Sequence, residues 1–116
     1  MKLIYISGPY SNGVTDENIH NAIDAGDALA REGFVVIIPH LNALWAIVHP
    51  HEYEFWLAQD MELLRRCDVV LRLPGESPGA DREVALAEEL GLTVYHNIDA
   101  LLYALQCERW EGENDG

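Results

Sequence analysis

Strand-length runs that are apolar at almost every position most constrain how this chain can fold. Leu3-Ile4-Tyr5-Ile6 closes at Ser7-Gly8-Pro9, Phe34-Val35-Val36-Ile37-Ile38 closes at Pro39-His40, and Val69-Val70-Leu71-Arg72-Leu73 closes at Pro74-Gly75. A strand with one face in water alternates apolar and polar side chains, whereas a strand covered on both faces is apolar nearly throughout. The runs therefore predict a parallel sheet held between two layers of helix. Thr93-Val94-Tyr95 supplies a shorter fourth strand.

Helical patterns fill the intervals. Thr15-Asp16-Glu17 gives a cap and an acidic first turn, and Ile19, Ala22, Ile23, Gly26 and Leu29 then share one face until Gly33. A second helix is predicted from about residue 52 to 66, a third from the Ser77-Pro78-Gly79 cap to Leu90-Gly91, and a last one over Ile98 to Gln106. Residues 41–51 are harder to read: Leu44, Trp45, Ile47 and Val48 suit a short helix that His49-Pro50-His51 would break. With 116 residues the chain makes one domain, over 1–107, with residues 108–116 as an acidic, frayed tail. Strands alternating with helices, joined by right-handed crossovers, give a doubly wound α/β sheet of flavodoxin-like or Rossmann-like type, with strand order 2-1-3-4. Ligands of such sheets bind beyond the carboxyl ends of the strands at the switch point, here where Ser7 to Asn12 meets Pro74 to Gly79.

Two carboxylates fall on helix faces that should be apolar. At about 100° per residue, Glu83 shares its stripe with Gly79, Ala80, Leu86 and Ala87, while Asp81, Arg82, Glu88 and Glu89 point the other way. Asp60 lies among Trp56, Leu57, Leu63 and Leu64. An inward charge costs several kcal/mol unless something pairs with it or uses it, so the two together point to a site with acid and nucleophile chemistry. Duller roles exist: Asp60 capping a neighbouring loop, Tyr5 as a core tyrosine, His40 as a satisfied structural histidine. The helix start at Ser77-Pro78-Gly79 suits a phosphate or carboxylate, and Gly8 with Gly13 permits close approach of backbone to a sugar or phosphate.

Composition removes several function classes. Twenty acidic against seven basic residues give a net charge of −13, which opposes a nucleic-acid polymer or an anionic membrane as partner but not a small anion held by backbone N–H groups. No apolar stretch is long enough to cross a bilayer, and Met1-Lys2 precedes only a strand-length apolar run, so no signal peptide is expected. Cys67 and Cys107 have neither zinc nor disulfide-framework spacing, which fits a reducing cytoplasm. His49 and His51 lack a third fixed ligand, so no metal and no cofactor is predicted. The first strand lacks the acidic pair of a receiver domain, and the loop after it lacks the Ser/Thr-rich phosphate loop of a flavodoxin, the G-x-G-x-x-G fingerprint and the P-loop lysine.

The order Tyr5-x-x-Gly8, Pro39-His40, Asp60 eight residues before Asp68, and Ser77-x-Gly79-x-x-x-Glu83 with Ala87 behind it resembles the nucleoside 2-deoxyribosyltransferase superfamily. That superfamily includes the deoxynucleoside 5′-monophosphate N-glycosidases, and the likeness, closest to compact phage and bacterial members, covers about residues 3 to 97. The resemblance implies Glu83 as nucleophile on the anomeric carbon, Asp60 assisting departure of the base or positioning the sugar, and Tyr5 orienting the nucleophile. It implies substrate contacts from Ser7, Gly8, Pro9, Tyr10, His40, Ser77 and Gly79, with Ser77 favouring a nucleotide over a nucleoside. It also implies a homodimer or higher homo-oligomer in which a neighbour completes the pocket, with Asn97 at the exit of the last strand as the contributor. The loop from Pro74 to Ser77 lacks the tryptophan often found after Pro-Gly in that superfamily. The expected activity is hydrolysis or transfer at the N-glycosidic bond of a (deoxy)nucleotide. The alternative is a non-catalytic module that binds, senses or sequesters the same ligand.

Overall fold

A computed structural model describes residues 2–115, with side chains to Glu108. Strands β1 (Leu3–Ser7), β2 (Val35–Ile37), β3 (Val69–Arg72) and β4 (Thr93–Tyr95) form one sheet in the order β2-β1-β3-β4. Every pairing is parallel, with Tyr5 opposite Ile37 on one side and Val70 on the other, and Val70 opposite Val94. The helices are α1 (Thr15–Arg31), α2 (Asn42–Val48), α3 (Tyr53–Leu64), α4 (Pro78–Glu89) and α5 (Ile98–Asp115), with a 3-10 turn at Pro39–Leu41 before α2. The doubly wound parallel sheet and its predicted strand order are therefore as observed.

The period-2 alternation of a strand divides β1 between two cores. Ile4 and Ile6 face Ala22 and Leu29 of α1 and Leu101 and Leu105 of α5, together with Phe34, Val69 and Leu71. Tyr5 faces the other way, into a cluster with Leu64, Cys67, Val70 and Ala87 under α3 and α4. Each fully buried side chain of leucine or isoleucine size contributes about 1.5–3 kcal/mol. Close approach of α1 to the sheet depends on Gly26, where a Cβ would lie 2.4 Å from Ile38 Cδ1. At the other end of β1, the Asp68 carboxylate accepts the Leu3 N–H at 2.8 Å and so ties the entry of β3 to β1.

Several expectations change. The Phe34–Ile38 run lies at the edge where the expected strand order puts it, but it is not covered on both faces: Val35 is 47% exposed. Val14, not Thr15, occupies the N-cap of α1, and Ile23 lies at the exposed margin of that helix. Residues 42–48 do form a helix, but its large apolar side chains point outward: Leu44, Ile47 and Val48 are all exposed. The last helix continues past Gln106 to Asp115, and the expected frayed tail otherwise falls on side chains outside those described. Among the described residues no helix is long and apolar enough to cross a membrane.

Candidate active site

Because alternate residues of β1 share a face, Ser7 follows Tyr5 onto the α4 side of the sheet. Both point at Glu83. The Tyr5 hydroxyl donates to Glu83 Oε2, and the Ser7 hydroxyl donates to Oε1 at 2.8 Å. Glu83 is only 7% exposed. Burial pushes its carboxyl group up from the usual range, while the Tyr5 and Ser7 hydroxyls and the charge of Arg72 act in the opposite direction. The same burial, with the Glu83 charge beside it, pushes the Tyr5 phenol far up, so Tyr5 stays a donor.

Asp60, on α3, shares a cavity of about 650 Å³ with Glu83. Its Oδ1 is buried without a hydrogen-bond partner, and no neighbouring backbone N–H is capped by it among the described residues. Burial first, and the Glu83 charge second, raise its pKa to about 7. The two carboxyl groups thus divide one task. Glu83 has two hydroxyl donors and a nearby guanidinium that favour its anion against the effect of burial, whereas Asp60 has none and is the readier of the two to carry a proton near neutral pH.

The loop after β1 contributes Gly8, Tyr10 and Asn12 to the cavity. It is held by the Asn18 side chain, whose Nδ2 donates to Tyr10 O at 2.9 Å and to Asn12 O at 2.6 Å, and it is joined to the loop after β3 by Asn12 Nδ2 donating to Glu76 O at 3.1 Å. His40 lines the same cavity, and its Nε2 lies 2.9 Å from Pro9 O. Burial lowers the His40 pKa, so the ring is neutral, and a carbonyl partner requires the proton on Nε2. Nδ1 is then a lone-pair acceptor, buried and without a hydrogen-bond partner.

On the α4 side, Ser77 Oγ accepts the Ala80 N–H at 3.0 Å, closing the helix and leaving the hydroxyl hydrogen free to donate. Arg72, which closes β3, is buried and clamps this loop from below. Its guanidinium donates to Leu73 O, to Gly75 O at 2.9 Å and to Asp81 Oδ1 at 3.3 Å. The remaining wall comes from α2 and the start of α3, through Asn42, Ala43, Ala46, His51, Tyr53 and Trp56. Aromatic packing secures that wall: His51 stacks on Phe55 with ring centres 3.7 Å apart, and Trp45 meets Trp56 edge-on at 5.0 Å. Among the described residues no group of three or more His, Cys, Asp or Glu side chains is placed to hold a metal ion.

Residues 2–96 match the family model described as a domain of unknown function, DUF4406. The chain belongs to the DUF4406 family. Among solved structures, the DUF4406 chain is similar to a 2-deoxyribosyltransferase from the psychrotolerant bacterium Bacillus psychrosaccharolyticus, with a TM-score of 0.64 and 24% identity over 79% of this chain and 69% of that one. At that identity the likeness shows a shared fold. No sequence among curated proteins matches the chain.

Within this DUF4406 domain, Gly8, Tyr10, His40, Asp60, Ser77, Gly79 and Glu83 line one cavity at the switch point of the sheet. Tyr5 and Ser7 stand behind Glu83 and do not line it, so Ser7 reaches the site by holding a carboxylate oxygen. Pro9 does not line it either and enters through its carbonyl on His40. Asn97 lies outside the cavity of its own chain, where its Oδ1 accepts the Ala100 N–H at 3.0 Å and starts α5. Neither Asn18 nor Asn21 lines the cavity. Sequence reasoning missed the α2 wall, Tyr53, Trp56, Arg72 and Arg82. The charge pattern held one signal: Arg72 is a lone arginine at the end of an otherwise apolar strand.

Proposed function

We propose that this protein breaks the N-glycosidic bond of a (deoxy)nucleotide, passing the sugar to water or to a second base, with Glu83 as nucleophile and Asp60 as acid. The observation that carries the reading is the contrast between two carboxyl groups in one cavity, one accepting hydrogen bonds from two hydroxyls and one buried with an oxygen that has no partner. A fold shared with a 2-deoxyribosyltransferase supports it.

In the first step a Glu83 oxygen bonds to the anomeric carbon as the carbon–nitrogen bond breaks. The bonding pair leaves with the base nitrogen, which takes the Asp60 proton. The transition state is oxocarbenium-like, and the Glu83 charge stabilises it. In the second step Asp60, now a carboxylate, takes a proton from water or from an incoming base, which displaces Glu83 from the sugar carbon. Tyr5 and Ser7 hold the nucleophile throughout. His40 Nδ1 accepts from a sugar hydroxyl or a base N–H, and the Ser77 hydroxyl donates to the phosphate.

A homo-oligomer belongs to this reading. Leu44 and Ile47 are 74% and 77% exposed on a helix without a charged residue, in a chain whose net charge is −13. Two copies meeting at α2 bury apolar surface without opposing acidic faces. From such a neighbour, Asn97 is the residue proposed to reach the pocket. The free thiols of Cys67 and Cys107 suit a reducing compartment such as the cytoplasm.

The test is base release from a panel of deoxynucleoside 5′-monophosphates, followed by chromatography. Glu83→Gln should abolish it. If the parent protein binds a nucleotide and returns it intact after long incubation, the reaction is refuted and the binding-module reading takes its place.

A further inference from the structure

Helical periodicity puts Arg82 off the Glu83 stripe, yet in the structure Arg82 lines the same cavity as Glu83. Arg82 is the one Lys or Arg among the residues lining the cavity. The other basic side chains described are engaged elsewhere: Arg31 with Asp27, Arg65 and Arg66 with Glu62, Lys2 with Glu108, and Arg72 in its loop clamp. Arg82 instead pairs with Glu54 of α3 at 3.4 Å, joining the two helices that flank the cavity. Both partners are largely in water, at 52% and 72% exposure, and the contact is a single long bond. Such a pair is easily exchanged for a better one.

The Glu83 and Asp60 carboxyl groups line the same cavity, and each repels an anion whenever it is ionised. An anionic substituent on a ligand is therefore best placed away from them, beside Arg82, which lines the cavity and is half exposed. We propose that Arg82 selects a phosphate monoester at this position by exchanging the Glu54 carboxylate for the phosphate oxygens. Glu54 acts as the resident stand-in that keeps the guanidinium extended when no ligand is bound. A guanidinium meets two phosphate oxygens at once, which a single 3.4 Å contact to Glu54 does not use. The inference rests on the glycosidic reading for the sugar that carries the phosphate, and adds to it the residue that separates nucleotide from nucleoside.

Calorimetric titration with 2-deoxyribose 5-phosphate, 2-deoxyribose and inorganic phosphate tests it without requiring turnover. The parent should bind the sugar phosphate more tightly than either fragment. Arg82→Gln should weaken the sugar phosphate by about tenfold or more, the worth of a charge-assisted contact, and leave 2-deoxyribose unchanged. Glu54→Gln should tighten the sugar phosphate by about two- to fivefold, the worth of an exposed ion pair. The proposal is overturned if Arg82→Gln binds the sugar phosphate as the parent does, if it loses 2-deoxyribose equally, or if inorganic phosphate alone binds as tightly as the sugar phosphate. Base release is scored separately. Arg82-dependent binding with no release removes the glycosidic reaction and keeps this inference, whereas release unaffected by Arg82→Gln at every nucleotide concentration does the reverse.

Discussion

Tyr5 of the central strand donates its hydroxyl hydrogen to the Glu83 carboxylate of α4 across 78 residues of sequence. The bond ties the buried carboxylate to an interior strand of the sheet, since β1 is paired on both sides. A hydrogen bond to a charged acceptor is worth about 1.5–3 kcal/mol, and leaving one unmade in a buried site costs more than the bond itself returns.

Tyr5→Phe should therefore lower base release by about 10- to 100-fold and raise the pH at which the acid limb of the rate profile falls by about one unit. The shift follows from removing a donor that favours the Glu83 anion. An acid limb that stays in place while the rate drops would mean that Tyr5 acts on something other than Glu83.

Asp60 gives a second pH effect, of opposite limb. With its pKa raised from 3.8 to about 7, it is an acid at neutral pH, and turnover should fall as pH rises through that value. Stability moves with it. Between 3.8 and about 7 the folded state holds a proton that the unfolded state has released, so stability declines with rising pH across that window. Asp60→Asn should melt higher than the parent above pH 7, by at most about 4 kcal/mol, while losing activity. Melting curves of the two proteins from pH 4 to 9 should diverge; parallel curves would contradict the buried, protonated carboxyl group.

Gly79 and Tyr53 face each other in the cavity wall. A Cβ on Gly79 would lie 3.0 Å from the Tyr53 hydroxyl oxygen, and Tyr53 is exposed enough to move aside. Gly79→Ala should leave the melting temperature unchanged or slightly higher, since alanine is favoured over glycine in a helix by about 1 kcal/mol. KM for a nucleotide should rise by up to about tenfold as the displaced ring narrows the entrance. A normal KM in a folded variant would show that ligand does not pass between Gly79 and Tyr53.

The double change Leu44→Glu and Ile47→Glu should convert an oligomer to a monomer without loss of the fold, because neither side chain packs in the core. Analytical ultracentrifugation over a range of concentrations checks this. An unaltered sedimentation profile would remove α2 from the interface.

The sheet order and both inward carboxylates were legible in the sequence because they rest on periodicity. Apolar runs of strand length announce the parallel sheet, and Glu83 breaks a stripe whose other members are small or apolar. What was not legible depends on neighbours distant in the chain. In α2 the rule that large apolar residues point inward fails: Ala43 and Ala46 line the cavity while Leu44 and Ile47 face out. Val35 belongs to a run that is apolar throughout, yet it is exposed, and the apolar pattern alone does not distinguish it from its covered neighbours. Ser7 and Pro9 read as ligand contacts from their place after a strand, yet one holds Glu83 and the other holds His40.

The two walls of the cavity answer to different masters. Glu83 is held by hydroxyls of β1, a strand whose side chains are divided between the two cores. The opposite wall, from Asn42 to Trp56, lies on short helices that lean on one another through Trp45, His51, Phe55 and Trp56. That wall can drift in sequence, and so in what it admits, at little expense to folding. A lineage built this way can keep Glu83 and its hydroxyl partners while the opposite wall changes what it admits, and divergence among its members should concentrate in residues 42–56.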